Sequence, residues 1–302
     1  MRRRPSRRLW KAKRMAMNSS NSESVKFDLH IHTTASDGTD SPEAVVELAA
    51  RNGFKVIAIT DHDTVRGVPE ARAAGKRLGV KVITGVEISA GGSTEVHVLG
   101  YGVKDVGRME DTLARMRAMR ETRMVQMVEK VRALGIDIEL DQVTALSAGT
   151  VGRSHLARVL VQKGVVRDVR EAFVRYLAPG RPAFVEREKL KVEEAISLIK
   201  ACGGLAGIAH PGQNHGEAYW CGERFRALKP FGLRCIECYH MAHSAQVAAG
   251  FERIARTEGL LITGGSDYHG QVKAVTLGDG LKYWYNKDLD FKRFMGALGE
   301  SI

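Results

Sequence analysis

Seven short apolar runs, rich in β-branched residues, recur along this chain, and helical patterns separate most of them. The runs are VKFDL, KVIAIT, KVITGV, EVHVLG, LAGIA, RCIEC and LLITGG. Continuous apolar runs of this length are typical of strands that are buried on both faces and connected through helices. The alternation predicts an α/β fold, a barrel or barrel-like parallel sheet, with functional groups gathered at the carboxyl ends of the strands.

The segment SPEAVVELAARNG shows one of the helical patterns between strands. Ser41 can cap this helix, Pro42 occupies its first turn and Gly53 ends it. A longer pattern runs from Met109 to Leu134, and its methionines recur at helical spacing. Such a methionine stripe indicates packing rather than a binding surface.

Six histidines and three carboxylates lie at or near the ends of these runs. They are His30, His32, Asp37, His62, Glu87, His97, His210, Asp267 and His269. Residues i and i+2 of a strand point to the same side, so His30 and His32 can bind one ion, and Asp267 and His269 repeat the spacing. Imidazole and carboxylate ligands without thiolate suit Mn²⁺, Fe²⁺ or Zn²⁺. The set therefore predicts a polynuclear metal site.

Charge is concentrated at the start of the chain. The net charge is +11, and residues 1–26 carry nine Lys or Arg against the single acid Glu23, which leaves only +3 for the rest. A near-neutral body gives weak grounds for a duplex-binding face, so we expect no duplex DNA partner. Residues 1–25 are expected to be a disordered basic extension.

The sequence of the basic extension is compatible with several roles. It lacks the apolar stretch of a secretory signal, and no run of about 18 apolar residues is present to span a membrane. We therefore expect a cytoplasmic protein with no membrane partner. An Arg-rich, acid-poor start is also compatible with a transit peptide, a nucleic-acid-binding arm, or an upstream start codon before Met15 or Met17.

The chain lacks the signatures of several other enzyme classes. It contains no G-x-S-x-G elbow, no P-loop and no G-x-G-x-x-G after a strand, which argues against acyl transfer, NTP hydrolysis and dinucleotide binding. Its four cysteines are too few and too irregularly spaced for a disulfide framework.

The motifs FDLHIHTTASDGT, AITDHDT, GVEIS, HVLGY, AHPG and GGSDYHG resemble, in order, those of the PHP (polymerase and histidinol phosphatase) superfamily of metal-dependent phosphoesterases. The branch similar to 3′,5′-nucleotide bisphosphate phosphatase, which includes an enzyme that trims RNA from the 5′ end, matches the layout best. The resemblance implies a distorted seven-stranded (β/α)7 barrel with a helical insertion. The expected parts are a first barrel segment (26–102), a mainly helical cap (103–200) and a second barrel segment (201–302).

The resemblance also implies how the ligands divide among three ions, with Mn²⁺ preferred and Fe²⁺ or Zn²⁺ as alternatives. The first ion takes His30, His32, Glu87 and Asp267. The second takes Asp37, His62 and His269. The third takes His97 and His210, with Glu87 bridging the first and third ions.

Residues outside the ligand set have weaker assignments. In TVGRSHLARVL, Gly152, Arg153 and Ser154 precede a helix whose free N–H groups can bind an anion. The resemblance implies that Arg153 and His155 grip substrate phosphate; the alternative is an ordinary capped helix with a surface arginine. His243 is a further candidate substrate contact, with His240 nearby. As partners that orient metal-bound imidazoles we expect Asp61, Asp63 and Glu237.

The expected function is removal of the 3′-phosphate from a small 3′,5′-bisphosphorylated nucleotide such as pAp. Metal-activated hydroxide would attack phosphorus, so no protein nucleophile is required and no general acid is assigned. Stepwise 5′-to-3′ hydrolysis of short 5′-phosphorylated RNA is a close variant. Histidinol-phosphate phosphatase is an alternative, and a catalytically silent metal-binding regulatory module is an alternative from another class.

Overall fold

The computed structural model describes residues 25–91, 95–147, 149–186, 189–214, 216–282, 284–285 and 288–300. The predicted basic extension, apart from Val25, lies outside the described residues. Among the helices described, none is long and apolar enough to cross a membrane.

Seven strands form one sheet in which each strand neighbours the next one along the chain. They are β1 (Lys26–Ile31), β2 (Phe54–Ile59), β3 (Lys81–Ala90), β4 (Val96–Tyr101), β5 (Leu205–Ile208), β6 (Leu233–His240) and β7 (Leu261–Gly265). Each strand falls in one of the seven apolar runs, and most of its residues are buried. The predicted seven-stranded α/β architecture is therefore confirmed.

The sheet is mixed, and here the expectation of a parallel sheet is wrong for one strand. β4 runs antiparallel to both β3 and β5, whereas the other neighbours are parallel. Only the short segment 91–95 joins β3 to β4, which is too short for the crossover that a parallel pair needs. The beginning of β4, rather than its end, therefore lies at the mouth where the neighbouring strands end.

The first and last strands approach each other and nearly close the sheet into a barrel. Just beyond β7, Asp267 N–H donates to the carbonyl of His30 at 2.9 Å, and His32 N–H donates to the carbonyl of Tyr268 at 2.9 Å. Gly265 permits this approach, because a Cβ there would lie 2.1 Å from the Cβ of His30. The junction brings the ends of β1 and β7, both rich in predicted ligands, side by side.

Helices cover the outside of the barrel and build the insertion. Before the insertion lie α1 (Pro42–Arg51) and α2 (Val68–Leu78). The insertion contributes α3 (Val106–Ala133), α4 (Leu140–Thr144), α5 (Arg153–Gln162), α6 (Val169–Ala172) and α7 (Val192–Ala201). A π-helical turn (Phe173–Leu177) continues α6. The second barrel segment adds α8 (Pro211–Asn214), α9 (Gly216–Tyr219), α10 (Gly222–Leu228), α11 (Ala245–Glu258) and α12 (Asp288–Leu298). In α1, Ser41 accepts from the Ala44 N–H at 3.1 Å and Pro42 is the first helical residue, as predicted.

The insertion, which we call the cap (residues 103–200), carries a hydrophobic core of its own. That second core is built from buried side chains between Met124 and Ala183, and it is separate from the barrel core. The start of α3 and the buried face of α7 pack on the barrel core instead. Of the stripe Met116, Met119, Met124 and Met127, Met119 is half-buried and the other three are buried, so the methionines mainly pack, as predicted. The boundaries of the three parts stay a prediction.

Candidate metal centre

The structure gathers all nine predicted ligands at one mouth of the barrel. His30 lies in β1 and His32 just after it; Glu87 lies in β3, His210 follows β5, and Asp267 follows β7. These five residues are at most 6 % exposed. His97 is the second residue of β4 and reaches the same mouth only because that strand is antiparallel. Asp37, His62 and His269 complete the cluster.

Four ligand atoms converge around the position expected for the first ion. His30 Nε2 lies 3.1 Å from His32 Nε2. Glu87 Oε2 lies 3.3 and 3.1 Å from these two nitrogens, and Asp267 Oδ1 lies 3.6 and 3.4 Å from them. Ligand atoms held about 2.1 Å from a tetrahedral ion are separated by similar distances. The four residues match the set expected for the first ion.

The residues expected for the second ion also lie together. His269 Nε2 is 3.3 Å from Asp37 Oδ1, and His62 shares a group of mutually close ligand atoms with both. His32 belongs to this group as well, with its Nδ1 3.7 Å from Asp37 Oδ1. His32 therefore presents Nε2 to the first group and Nδ1 to the second.

Glu87 connects the first group to the residues expected for the third ion. Its Oε2 faces His30 and His32, whereas its Oε1 lies 3.0 Å from His97 Nδ1 and 3.1 Å from His210 Nε2. The two nitrogens are 3.3 Å apart. This arrangement suits a carboxylate that bridges two ions.

In the part of the chain that the structure describes, the cluster contains buried polar atoms without hydrogen-bond partners, which bound metal ions would satisfy. His32 Nδ1, His62 Nδ1 and Glu87 Oε2 are buried and have no hydrogen-bond partner among the described residues. Buried polar atoms without partners are rare and costly. Buried ring nitrogens and a carboxylate oxygen without partners, in a site rich in imidazole and carboxylate, fit divalent cations.

Burial and neighbouring charges shift the pKa values of the histidines in different directions. Burial lowers the pKa of His62 to about 3 and that of His210 to about 4, which leaves each imidazole neutral and able to ligate at neutral pH. Burial also opposes the charge on Glu87, but the surrounding histidines hold its pKa well below the usual range. For His32, burial is outweighed by Asp267 and Glu87, which raise its pKa to about 9.

Glu237 contacts two of the histidines, and it lies inside β6, three residues before the strand ends. His30 Nδ1 donates to Glu237 Oε1 at 2.9 Å, and the His210 N–H donates to Glu237 Oε2 at 2.6 Å. Glu237 is fully buried. The bond fixes the tautomer of His30, because the nitrogen that faces the other ligands is then Nε2.

The hydrogen bonds described for Asp61 and Asp63 go to groups other than imidazoles, and their expected role beside the histidines stays a prediction. Asp61 accepts from the Thr33 N–H at 2.7 Å and the Ser36 hydroxyl at 2.6 Å. Asp63 accepts from Arg120 Nε at 2.7 Å. Both aspartates therefore fix the backbone and the cap around the ligands.

The backbone is strained at three positions of the mouth. Asp63, His210 and Asp267 have φ angles of 51°, 28° and 56°. They are the non-glycine residues with positive φ in the described part of the chain. Such conformations cost on the order of 1–3 kcal/mol each and cluster at functional sites.

A cavity of about 650 Å³ extends from the ligands into the cap. On the cap side it is lined by Arg120, Arg123, Arg153, Phe173, Phe184 and Lys189, and on the barrel side by Asp37, His62, Glu95, His97, His269 and Lys273. The Arg153 guanidinium lies 5.5 Å from the centre of the Phe173 ring and 6.0 Å from that of Phe184. The cavity thus offers positive charge and aromatic surface beside the ligands.

Two other predicted substrate contacts lie outside this lining. His155 is fully buried, and its Nδ1 accepts from the Gly152 N–H at 3.0 Å at the start of α5. His243 Nδ1 donates to the Cys238 carbonyl at 2.9 Å, and its Nε2 accepts from the Gly212 N–H at 3.0 Å. Neither residue is among the described residues that line the cavity. Their contact with substrate stays a prediction.

His240 lies beside the ligand cluster. It is the last residue of β6 and is 1 % exposed, and its Nε2 lies 3.5 Å from Asp267 Oδ2. It therefore faces a predicted ligand.

Sequence reasoning missed Glu95, Lys189 and Lys273, which line the cavity. Glu95 had a signal, because it lies two residues before His97 and so shares its side of the chain. Lys189 and Lys273 had none, since single lysines near a Glu or a Gly are common on protein surfaces.

The fold and the site define the class of the protein: an α/β barrel enzyme with a cluster of candidate metal ligands at its mouth. Residues 28–179 match the family model described as the PHP domain. The chain belongs to the PHP domain family and is a metal-dependent phosphoesterase.

Known relatives agree with this assignment. The chain is 37 % identical over 261 residues to a 5′-3′ exoribonuclease of Haemophilus influenzae, a match that covers 85 % of this chain and 94 % of the relative. It is 33 % identical over 256 residues to a 3′,5′-nucleoside bisphosphate phosphatase of Chromobacterium violaceum, covering 81 % and 87 %. A solved structure of a candidate metal-dependent phosphoesterase from Bifidobacterium adolescentis superposes with a TM-score of 0.82 at 30 % identity, covering 90 % of this chain and 96 % of that one.

Proposed function

We propose that this protein hydrolyses the 3′-phosphate of 3′,5′-nucleoside bisphosphates such as pAp. One observation carries the proposal: a single cavity joins the nine-residue ligand cluster to the cationic side chains Arg153 and Lys189 of the cap. A substrate with one phosphate at the cluster and another at the cap would use both ends of this cavity. The relative named as a bisphosphate phosphatase supports the same substrate class.

We propose that the nine ligands hold three divalent ions, with Mn²⁺ preferred and Fe²⁺ or Zn²⁺ as alternatives. Bound ions supply a water of lowered pKa and neutralise the oxygens of the reacting phosphoryl group. The chain's own contribution is orientation. Glu237 holds His30 through Nδ1, and the Ser154 hydroxyl donates to Asp37 Oδ2 at 2.8 Å, which fixes the carboxylate from the cap side.

The cap would bind the remainder of the nucleotide. Arg153 begins α5, where the free backbone N–H groups and the helix dipole favour an anion. Phe173 and Phe184 line the cavity beside this arginine. Aromatic rings can stack on any nucleobase, because every base has a flat π face. These groups support recognition of a phosphate and a base by the same face of the cap.

Short 5′-phosphorylated RNA is a second candidate substrate. The relative named as a 5′-3′ exoribonuclease is similar over most of both chains, and an RNA 5′ end presents a 5′-phosphate and a 3′-linked phosphoester in the same relation as pAp. The cationic and aromatic lining that would bind the nucleotide would bind the terminal nucleotide of RNA in the same way.

The test is release of phosphate or mononucleotide, in the presence of Mn²⁺, from pAp, 5′-AMP, histidinol phosphate and a short 5′-phosphorylated RNA. Phosphate release from pAp with 5′-AMP left intact is expected. Asp267→Ala should reduce the rate by more than about a hundredfold, because it removes one of the four residues expected to bind the first ion. Asp137→Ala is the matched control, since Asp137 is 97 % exposed and is not among the described residues that line the cavity.

Each alternative has its own outcome in this assay. Mononucleotide release from RNA would add the exonuclease activity. Preference for histidinol phosphate would contradict the nucleotide substrate while leaving the metal chemistry intact. No turnover of any of the four compounds by metal-loaded protein would favour the regulatory module.

A further inference from the structure

Glu95 lies between the metal centre and the cap and contacts both. His97 Nε2 donates to Glu95 Oε1 at 3.1 Å. The other oxygen, Oε2, accepts from Arg153 Nη2 at 3.0 Å and from Lys189 Nζ at 2.7 Å. One carboxylate thus joins a predicted ligand of the third ion to two cations that line the cavity.

On the barrel side, this contact determines which nitrogen of His97 can bind metal. His97 Nδ1 faces Glu87 Oε1 at 3.0 Å and His210 Nε2 at 3.3 Å. Nε2 faces Glu95, so Nδ1 is the ligand atom and the Nε2–H is the donor. Metal-bound histidines usually donate their second N–H to a carboxylate or a carbonyl, and loss of that partner weakens metal binding.

On the cap side, Glu95 sets the positions of Arg153 and Lys189. The two side chains are 17 % and 9 % exposed and meet at one oxygen. Two cations against one carboxylate leave positive charge facing the cavity, and the guanidinium retains further N–H donors. A phosphate that entered the cavity would find both cations already oriented, which reduces the entropy lost on binding.

We propose that Glu95 is a positioning residue that makes occupancy of the third metal site and recognition of the substrate's second phosphate depend on one side chain. The inference rests on the proposed function for the identity of that phosphate. It predicts that the enzyme prefers a substrate with a phosphate at each end of the cavity, and that loss of Glu95 weakens metal binding and this preference together.

The test compares Glu95→Gln with wild type in two measurements on the full chain. The first is the number of Mn²⁺ ions retained per chain after desalting, measured by elemental analysis. The second is the ratio of kcat/KM for pAp to that for 3′-AMP, which lacks the 5′-phosphate. We expect Glu95→Gln to lose one ion and to lower the ratio about tenfold or more, mainly through KM for pAp.

Two further variants separate the two contacts. Lys189→Met removes one cation without touching His97, so it should lower the ratio while metal content stays at the wild-type number. Glu47→Gln is the matched control, because Glu47 is exposed and pairs only with Arg51 on the outside of α1 among the contacts described. If Glu95→Gln does not fold, Glu95→Asp, which keeps the charge with a shorter reach, is measured in its place.

The experiments test the role of Glu95 separately from the proposed function. Glu95→Gln with wild-type metal content, or with a wild-type preference ratio, would overturn the inference. If wild type hydrolyses neither pAp nor 3′-AMP, the proposed function fails, and calorimetric affinity of the Mn²⁺-loaded proteins for inorganic phosphate replaces the ratio. Weaker phosphate binding and one fewer ion in Glu95→Gln would then still support the role of Glu95.

Discussion

At the scale of single residues, carboxylates that look alike in the sequence have different tasks. Glu237 and Glu95 each accept from a histidine ring and so fix its tautomer. Asp61 and Asp63 flank His62 yet bond to backbone, hydroxyl and guanidinium groups instead. The difference follows from where each side chain points at the barrel mouth, which sequence proximity to a histidine does not determine.

Replacement of Glu237 by Gln should weaken metal binding by about ten- to a hundredfold. The amide can no longer accept from both His30 Nδ1 and the His210 N–H, so His30 loses its fixed orientation. Mn²⁺ affinity can be measured by competition with a chelator. Glu258→Gln, which weakens an ion pair with Arg226 and keeps the main-chain carbonyl that accepts from Lys229, serves as control. Equal affinities in the two variants would contradict the assigned role.

At the scale of elements, the start of α5 is where the cap meets the barrel. Gly149 lies so close to the barrel that a Cβ there would sit 1.9 Å from the Ala35 carbonyl oxygen, and the Thr150 N–H donates to the same oxygen at 3.1 Å. Ser154 then reaches Asp37, and His155 caps the helix. The start of α5 is therefore a structural junction between the cap and the barrel, at the place where we propose that phosphate binds.

The buried cap residue His155 should make the protein less stable in mild acid. Burial lowers its folded-state pKa, whereas the unfolded value is about 6.5. Below that pH the unfolded chain binds the extra proton, so stability falls as pH falls towards the folded pKa. His155→Gln keeps a capping side chain that does not titrate. Urea unfolding should show that wild type loses more stability than the variant between pH 7.5 and 5.5; a constant difference would argue against this.

At the scale of the whole molecule, candidate metal ligands lie at the place where the barrel closes. Ligands from both ends of the chain meet where β1 approaches β7, through backbone bonds between His30 and Asp267 and between His32 and Tyr268. Three carboxylates and six histidines gather at the mouth that contains this junction. Ions bound there would hold the first and last strands together, so folding and metal binding should be linked.

Removal of metal should lower the melting temperature of the whole chain. An ion at a hundred times its Kd stabilises the folded state by about 2.7 kcal/mol, which corresponds to a shift of roughly 5 °C or more for a chain of this size. Calorimetry of chelator-treated protein with and without added Mn²⁺ measures the shift. Asp267→Ala should respond less, and an identical melting temperature with and without Mn²⁺ would contradict the linkage.

The sequence by itself determined the seven strands, the long helix of the cap, the capping of α1 and the nine candidate ligands. These features have local signals: apolar runs of strand length, helical spacing, and turn or capping residues at fixed offsets. The ligand set was visible because histidine and acidic residues recur at the boundaries of such runs.

Only the tertiary structure decided the direction of β4, the bonding of Asp61 and Asp63, the buried positions of His155 and His243, and the contact of Glu95 with Arg153 and Lys189. A strand has the same side-chain period in either direction, so its pattern does not reveal its orientation. Glu95 meets partners 58 and 94 residues further along the chain. Such contacts arise from how the cap packs over the barrel, and no local pattern encodes them.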